Sequence, residues 1–253
     1  MELIYKEIIE IFKSPFSQTF ISSFVSACAG AYAGARFAIK FQSKKELKEQ
    51  IKIEKGLVNY CLVSLACNLE NLINFKKQTL LPLLVEVEKI KSDPKIKKVI
   101  ELGMQPVEEV MQSPVKIKEL AKLQTSLRFL SLPDMERLST ISEKRPNLIR
   151  LSYKVNETLI DINWIIDQLN NNFSKLTEHH PLINIQYLIL RISLAENIVQ
   201  ETDDALFFIN KATNLFYEVC DEKFKEKRKG IYEIKLLEEY QDLLPPDDRV
   251  KGF

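Results

Sequence analysis

Glycine is scarce in this chain, with 6 copies in 253 residues, beside 10 prolines, 1 tryptophan and 2 histidines. Strand-rich domains need a turn residue roughly every 8–12 positions. Their shortage excludes a sandwich or barrel and leaves helix as the default. Glycine shortage also removes any Gly-rich phosphate loop, and no nucleophile elbow is present. The two histidines stand side by side, His179 and His180, flanked by Glu178 and Pro181. No Arg lies four to six residues before them, which excludes an Arg–His nuclease pair. A Glu-x-x-His pair on facing helices, the di-iron arrangement, is missing. Zinc is excluded in the same way, because Cys and His do not cluster. No metal, no cofactor and no catalytic residue is expected, and the chain reads as a non-enzyme.

Charge of one sign is lacking as well. The formal net charge is +1, so no global field points to nucleic acid. Cysteine is limited to Cys28, Cys61, Cys67 and Cys220, without a CxxC pair. So few thiols in so long a chain read as reduced cysteines of a cytosolic domain, not as a disulfide framework.

Charge is also absent from one stretch, Ser14–Ala35. As a helix rising about 1.5 Å per residue, it is long enough for the hydrocarbon core of a bilayer. Three readings compete: a cleaved signal peptide, a buried core helix and an uncleaved anchor. The preceding "MELIYKEIIEIFK" is long and acidic, against the short basic start a signal peptide needs. Core helices carry more leucine. Arg36, Lys40, Lys44, Lys45 and Lys48, with Lys52 and Lys55, follow directly and make a positive-inside signal. The expectation is a single-pass helix over 14–42, in a bacterial inner membrane, with the C-terminal bulk in the cytoplasm. The basic residues set topology or meet lipid head groups.

What fills the span is small. Ser22, Ser26, Gly30, Gly34 and Ala38 form one line at a spacing of four, and Ser23, Ala27, Ala31 and Ala35 lie beside it. Helices in lipid associate through close backbone approach, which small residues permit. This face is the expected contact of a homo-oligomer. Residues 1–13 place Ile4, Ile8, Ile11 and Phe12 on one side of an amphipathic helix, ended at Ser14-Pro15.

Residues 43–56 are a basic stalk with almost no apolar face, and 57–244 read as an antiparallel helical bundle. Val58, Leu62, Leu65, Leu69 and Leu72 begin its pattern in a helix to about residue 78. Prolines then chop the chain into expected short helices over 80–91, 94–103 and 114–130, with another between Pro133 and Pro146. Val155, Leu159, Ile162, Ile166, Leu169 and Phe173 alternate at four and three. From Ile185 to Cys220 the same alternation runs unbroken, which predicts a long heptad-patterned helix antiparallel to its neighbour. Trp164 falls off the apolar line and is expected to fill a seam. A last helix is expected near 231–244, before a polar tail over 245–253.

Polar residues recur beside the seams: Asn156, Asp161, Asn163 and Asp167, then Asn197, Thr202, Asp203 and Asn210. They form either a solvated face or a small polar pocket. The layout points to a self-associating membrane protein, as in effectors that permeabilise a bacterial inner membrane in antiphage defence, an analogy that no residue motif carries. The alternative is a tethered adaptor whose bundle binds a cytosolic protein partner.

Overall fold

A computed structural model describes residues 15–101, 114–115, 123, 127–142, 145–178, 183–224, 230–235, 238–246 and 249. The expected amphipathic helix over 1–13 lies outside them. Pro15 opens helix α1, at the position where its missing N–H costs nothing. From there α1 runs unbroken through Phe75, 61 residues, joining the expected span, stalk and first bundle helix into one element. The chain divides into two compact units, 1–54 and 55–253.

In the second unit, α1 ends in a π-turn, Lys76–Leu80, where Leu81 N–H reaches back five residues to the Lys76 carbonyl. Pro82 explains the widening. It has no N–H for an i→i−4 bond, and its ring would crowd the carbonyl four residues back. Helix α2, Leu81–Lys91, and α3, Pro94–Glu101, follow as the sequence predicts. Further on come α4, Met135–Ser142, α5, Pro146–Glu178, and α6, Ile185–Phe224. Strand β1, Pro114–Val115, pairs antiparallel with β2, Ile183–Asn184, the sole ladder among the described residues. A 3-10 turn occupies Glu238–Leu243. Among the described residues the regular secondary structure is all helical apart from that two-residue pairing.

The most extensive packing is between α5 and α6. They run antiparallel. Arg145, at the head of α5, pairs with Glu218 and Glu222 near the end of α6. At the other end Asn172 donates to the Tyr187 carbonyl at 3.0 Å. The predicted apolar lines are buried: Val58, Leu62, Leu65, Leu69 and Leu72 on α1, and Val155, Leu159, Ile162, Ile166 and Leu169 on α5. On α6 burial spreads beyond one line to Leu194, Ile198, Ala205, Phe207, Phe208 and Ala212. It is the central helix of the core.

Three sequence expectations are corrected. Residues 127–130 form no helix, where a helix over 114–130 is expected from the sequence; side chains from two helices take their main-chain groups instead. The last helix is absent over 231–235; Gly230 turns there with φ +77° and Asn59 holds both Gly230 O and Tyr232 N. Trp164 is 58% exposed and fills no seam.

Among the described residues, one helical stretch near the N-terminus, Ala29–Lys91, is long and apolar enough to cross a membrane. Half of its apolar window is buried in the fold, so that part belongs to the core. Residues 29–53 of α1 are exposed throughout.

Candidate functional site

Along the first unit, Ser26, Gly30, Gly34 and Ala38 lie on α1 with their surfaces exposed, and Ser22 lies on the same helix. A Cβ added at Gly30 or Gly34 would meet nothing within 4 Å. No contact inside the chain therefore requires glycine at either position. Arg36, Lys40, Lys44, Lys45 and Lys48 are all exposed, and the Arg36 guanidinium sits 5.7 Å from the Tyr32 ring centre. Exposed Phe37, Ile39 and Phe41 alternate with these cations.

The polar residues of α5 divide in two. Asp161 and Asp167 face solvent. Asn156 and Asn163 are half-buried and spent on the chain itself. Asn156 accepts from Leu132 N–H at 2.9 Å and donates to its carbonyl at 3.2 Å. Asn163 accepts from Leu127 N–H at 3.2 Å. From α1, Asn68 accepts from Leu130 N–H and donates to Leu130 O, both at 2.8 Å, and Asn71 donates to Arg128 O at 3.0 Å. Sequence reading missed Asn59, Asn68 and Asn71. They fall between the apolar positions of α1, and the available signal was that a polar residue recurs beside an otherwise buried line.

Charge inside the second unit is mostly paired. Arg191 is fully buried and its guanidinium is bound by the Glu86 carboxylate. Lys76, the first residue of the π-turn, donates to Asp203 at 2.6 Å and to the Leu243 carbonyl at 2.9 Å. Arg249 joins the same cluster through Asp204, at 2.7 Å, and Asp203, at 3.3 Å. Burial raises the carboxyl of Glu201, and nearby Asp161, Asp204 and Glu157 raise it further. Burial also pushes the Cys61 thiol up to about 12, so it stays protonated and unreactive at neutral pH. Cys61, Cys67 and Cys220 are free thiols. The side chain of Cys28, like His179 and His180, lies outside the described residues.

A cleft of about 750 Å³ opens between α2, α3 and α6, lined by Glu88, Lys91, Ile100, Ile189 and Glu196. Its charges satisfy one another. Lys91 reaches Glu196 at 2.6 Å, which raises its pKa. A smaller cleft of about 320 Å³ lies between α5 and α6 beside Asn147, Arg150, Lys211 and Asn214. Among the described residues no cluster of three His, Cys, Asp or Glu could hold a metal ion. Among the described residues, the asparagines of α1 and α5 hold main chain of the chain itself.

No protein-family model, curated protein or solved structure matches this chain.

Proposed function

We propose that this is a non-enzymatic, single-pass protein of a bacterial inner membrane that works by self-association, with a cytoplasmic bundle built on antiparallel, heptad-patterned helices. The observation that carries the reading is the exposure of the small-residue line on α1. Glycine inside a helix costs about 0.8–1.0 kcal/mol relative to alanine. Gly30 and Gly34 have no neighbour in their own chain for which the missing Cβ makes room. Close approach by another helix supplies the reason, and in lipid such approach is what drives association. Ser22, Ser26 and Ala38 extend the face, and Arg36, Lys40, Lys44, Lys45 and Lys48 hold its C-terminal end on the cytoplasmic side. A serine- and glycine-rich span suits a pore or membrane-perturbing role better than a passive anchor. The test is the mass of full-length protein in detergent. The wild type is expected as a defined oligomer, and Gly30→Leu with Gly34→Leu as a smaller species. An unchanged mass would end the proposal.

One observation favours the second reading, a tethered adaptor: helix asparagines hold non-helical segments of the chain through main-chain hydrogen bonds, a mode that could serve a partner's segment as well. Exchanging residues 1–42 for an unrelated span preserves function under this reading and abolishes it under the first.

A further inference from the structure

Helix α1 is unbroken from Pro15 to Phe75, so angular positions around its axis carry over from its exposed first part to its lysines. An α-helix returns to the same direction after eighteen residues, about five turns at 3.6 residues per turn. Lys44 stands eighteen residues after Ser26, Lys48 after Gly30 and Lys52 after Gly34. Lys40 begins the same line, four residues before Lys44. The small residues and a row of lysines therefore share one side of one helix.

The acids of this stretch lie elsewhere. At about 100° per residue, Glu46 falls opposite the middle of the lysine line, and Glu49 about 100° from Lys48. Glu46 accepts from Gln42 at 3.0 Å, while Glu54 is buried and accepts from Gln50 at 3.2 Å. Lys40, Lys44, Lys48 and Lys52 are exposed, and among the described residues no acid pairs with them. Like charges four apart destabilise a helix, and this line sets each lysine against the next. Topology needs a number of cations near the end of a span, wherever they lie around the axis. It does not explain their alignment with the glycines.

We infer that this lysine line is half of a site for a soluble, multivalent phosphate anion, completed by the same line of a second copy. The inference rests on the self-association reading. Helices that meet across Gly30 and Gly34 bring their axes to about 8–10 Å, and the shared side turns the lysines of both copies toward each other. Alone they repel. An anion between them draws on cations from both copies, so its binding and assembly strengthen each other by the same factor. Successive lysines rise about 6 Å along the axis, so a chain of phosphates engages more than one. Lysine binds phosphate as a point charge and imposes no planar geometry on it. Lys44 to Lys52 stand about 12–24 Å beyond Arg36, the first charge after the apolar stretch. That exceeds a Debye length of about 8 Å, which favours a soluble anion over a lipid surface.

The test is the mass of full-length protein in neutral detergent across a dilution series, with and without millimolar sodium tripolyphosphate at matched ionic strength. The anion is expected to lower the concentration at which copies assemble by about tenfold, within the usual range of coupled binding. Lys44→Gln, Lys48→Gln and Lys52→Gln together are expected to erase that response. Relieved of repulsion, this variant is also expected to assemble without the anion at least as readily as wild type. The same exchange at Lys95, Lys97 and Lys98 on α3 is expected to leave the response intact. An oligomer that ignores tripolyphosphate would overturn this inference and leave self-association standing, as would a response that survives in the first triple variant. A monomer under every condition would overturn both. Phosphatidylglycerol in mixed micelles reproducing the response, with tripolyphosphate inert, would overturn the soluble source and assign the phosphate to lipid.

Discussion

Arg191 on α6 and Glu86 on α2 form an ion pair inside the core, with Arg191 0% exposed and its guanidinium 6.0 Å from the Phe173 ring centre. Taking both charges out of water costs more than a surface pair would, and close geometry offsets that cost. Removing one partner leaves the other buried without compensation. Glu86→Ala is expected to lower stability by about 3–5 kcal/mol, while Glu86→Leu with Arg191→Met is expected to stay near wild type. Urea unfolding of the three proteins checks this. Similar losses in the single and double variants would show that the pair matters only through its volume.

The C-terminal segment is held by charge. Arg249 bridges Asp203 and Asp204, and Lys76 links Asp203 to the Leu243 carbonyl. Arg249→Ala should change global stability by less than about 1 kcal/mol, the range of partly exposed pairs. It should nevertheless speed proteolytic cleavage within 238–249, and added salt should speed cleavage of wild type in the same direction. Unchanged cleavage would mean that Leu243 and Leu244, packed on the core, hold the segment alone.

Cys61 is buried in α1, its thiol pushed up to about 12 by desolvation. At pH 8 iodoacetamide is expected to leave Cys61 unmodified in the folded protein and to label it readily in denaturant. Partly exposed Cys67 should react in the native state. Peptide mass mapping separates the two sites. Native labelling of Cys61 would show that α1 opens locally there.

Glu201 has a raised carboxyl, first because of burial and then because Asp161, Asp204 and Glu157 surround it. A raised folded value means that the native state holds this proton more tightly than the unfolded chain does. Stability is therefore lost as pH rises through the carboxylate range, from about 4.3 upward. Glu201→Gln removes the penalty. The variant is expected to gain less than about 1 kcal/mol at pH 7, after solvent screening, and nothing at pH 3.5. Paired denaturant titrations at the two pH values decide it. A gain of equal size at both would assign the effect to packing.

Much of the fold was legible because burial follows helical periodicity. The line from Val58 to Leu72 and the α5 line from Val155 to Leu169 are buried, whereas burial on α6 spreads well beyond the predicted line. Proline positions located α2, α3 and α4 for the same local reason. Residues 127–130 were not legible. "LRFL" has good helix formers, and only the carboxamides of Asn68, Asn71, Asn156 and Asn163, distant in sequence, satisfy the main chain of this stretch and its neighbour Leu132 without a helix. Of the candidate polar set, Asn156 and Asn163 proved to be such groups, whereas Asp161 and Asp167 are solvated.

By itself, then, the sequence determined the helical class, the uncharged stretch Ser14–Ala35, the small-residue line and the basic run after it, because each depends on neighbours within a few turns of one helix. The tertiary structure alone decided which polar side chains hold main chain, where Arg191 finds Glu86, and that one continuous helix carries the exposed N-terminal residues and the first apolar line of the core. Those outcomes depend on pairings between residues tens of positions apart, where burial leaves a polar group no partner except the one the fold brings to it.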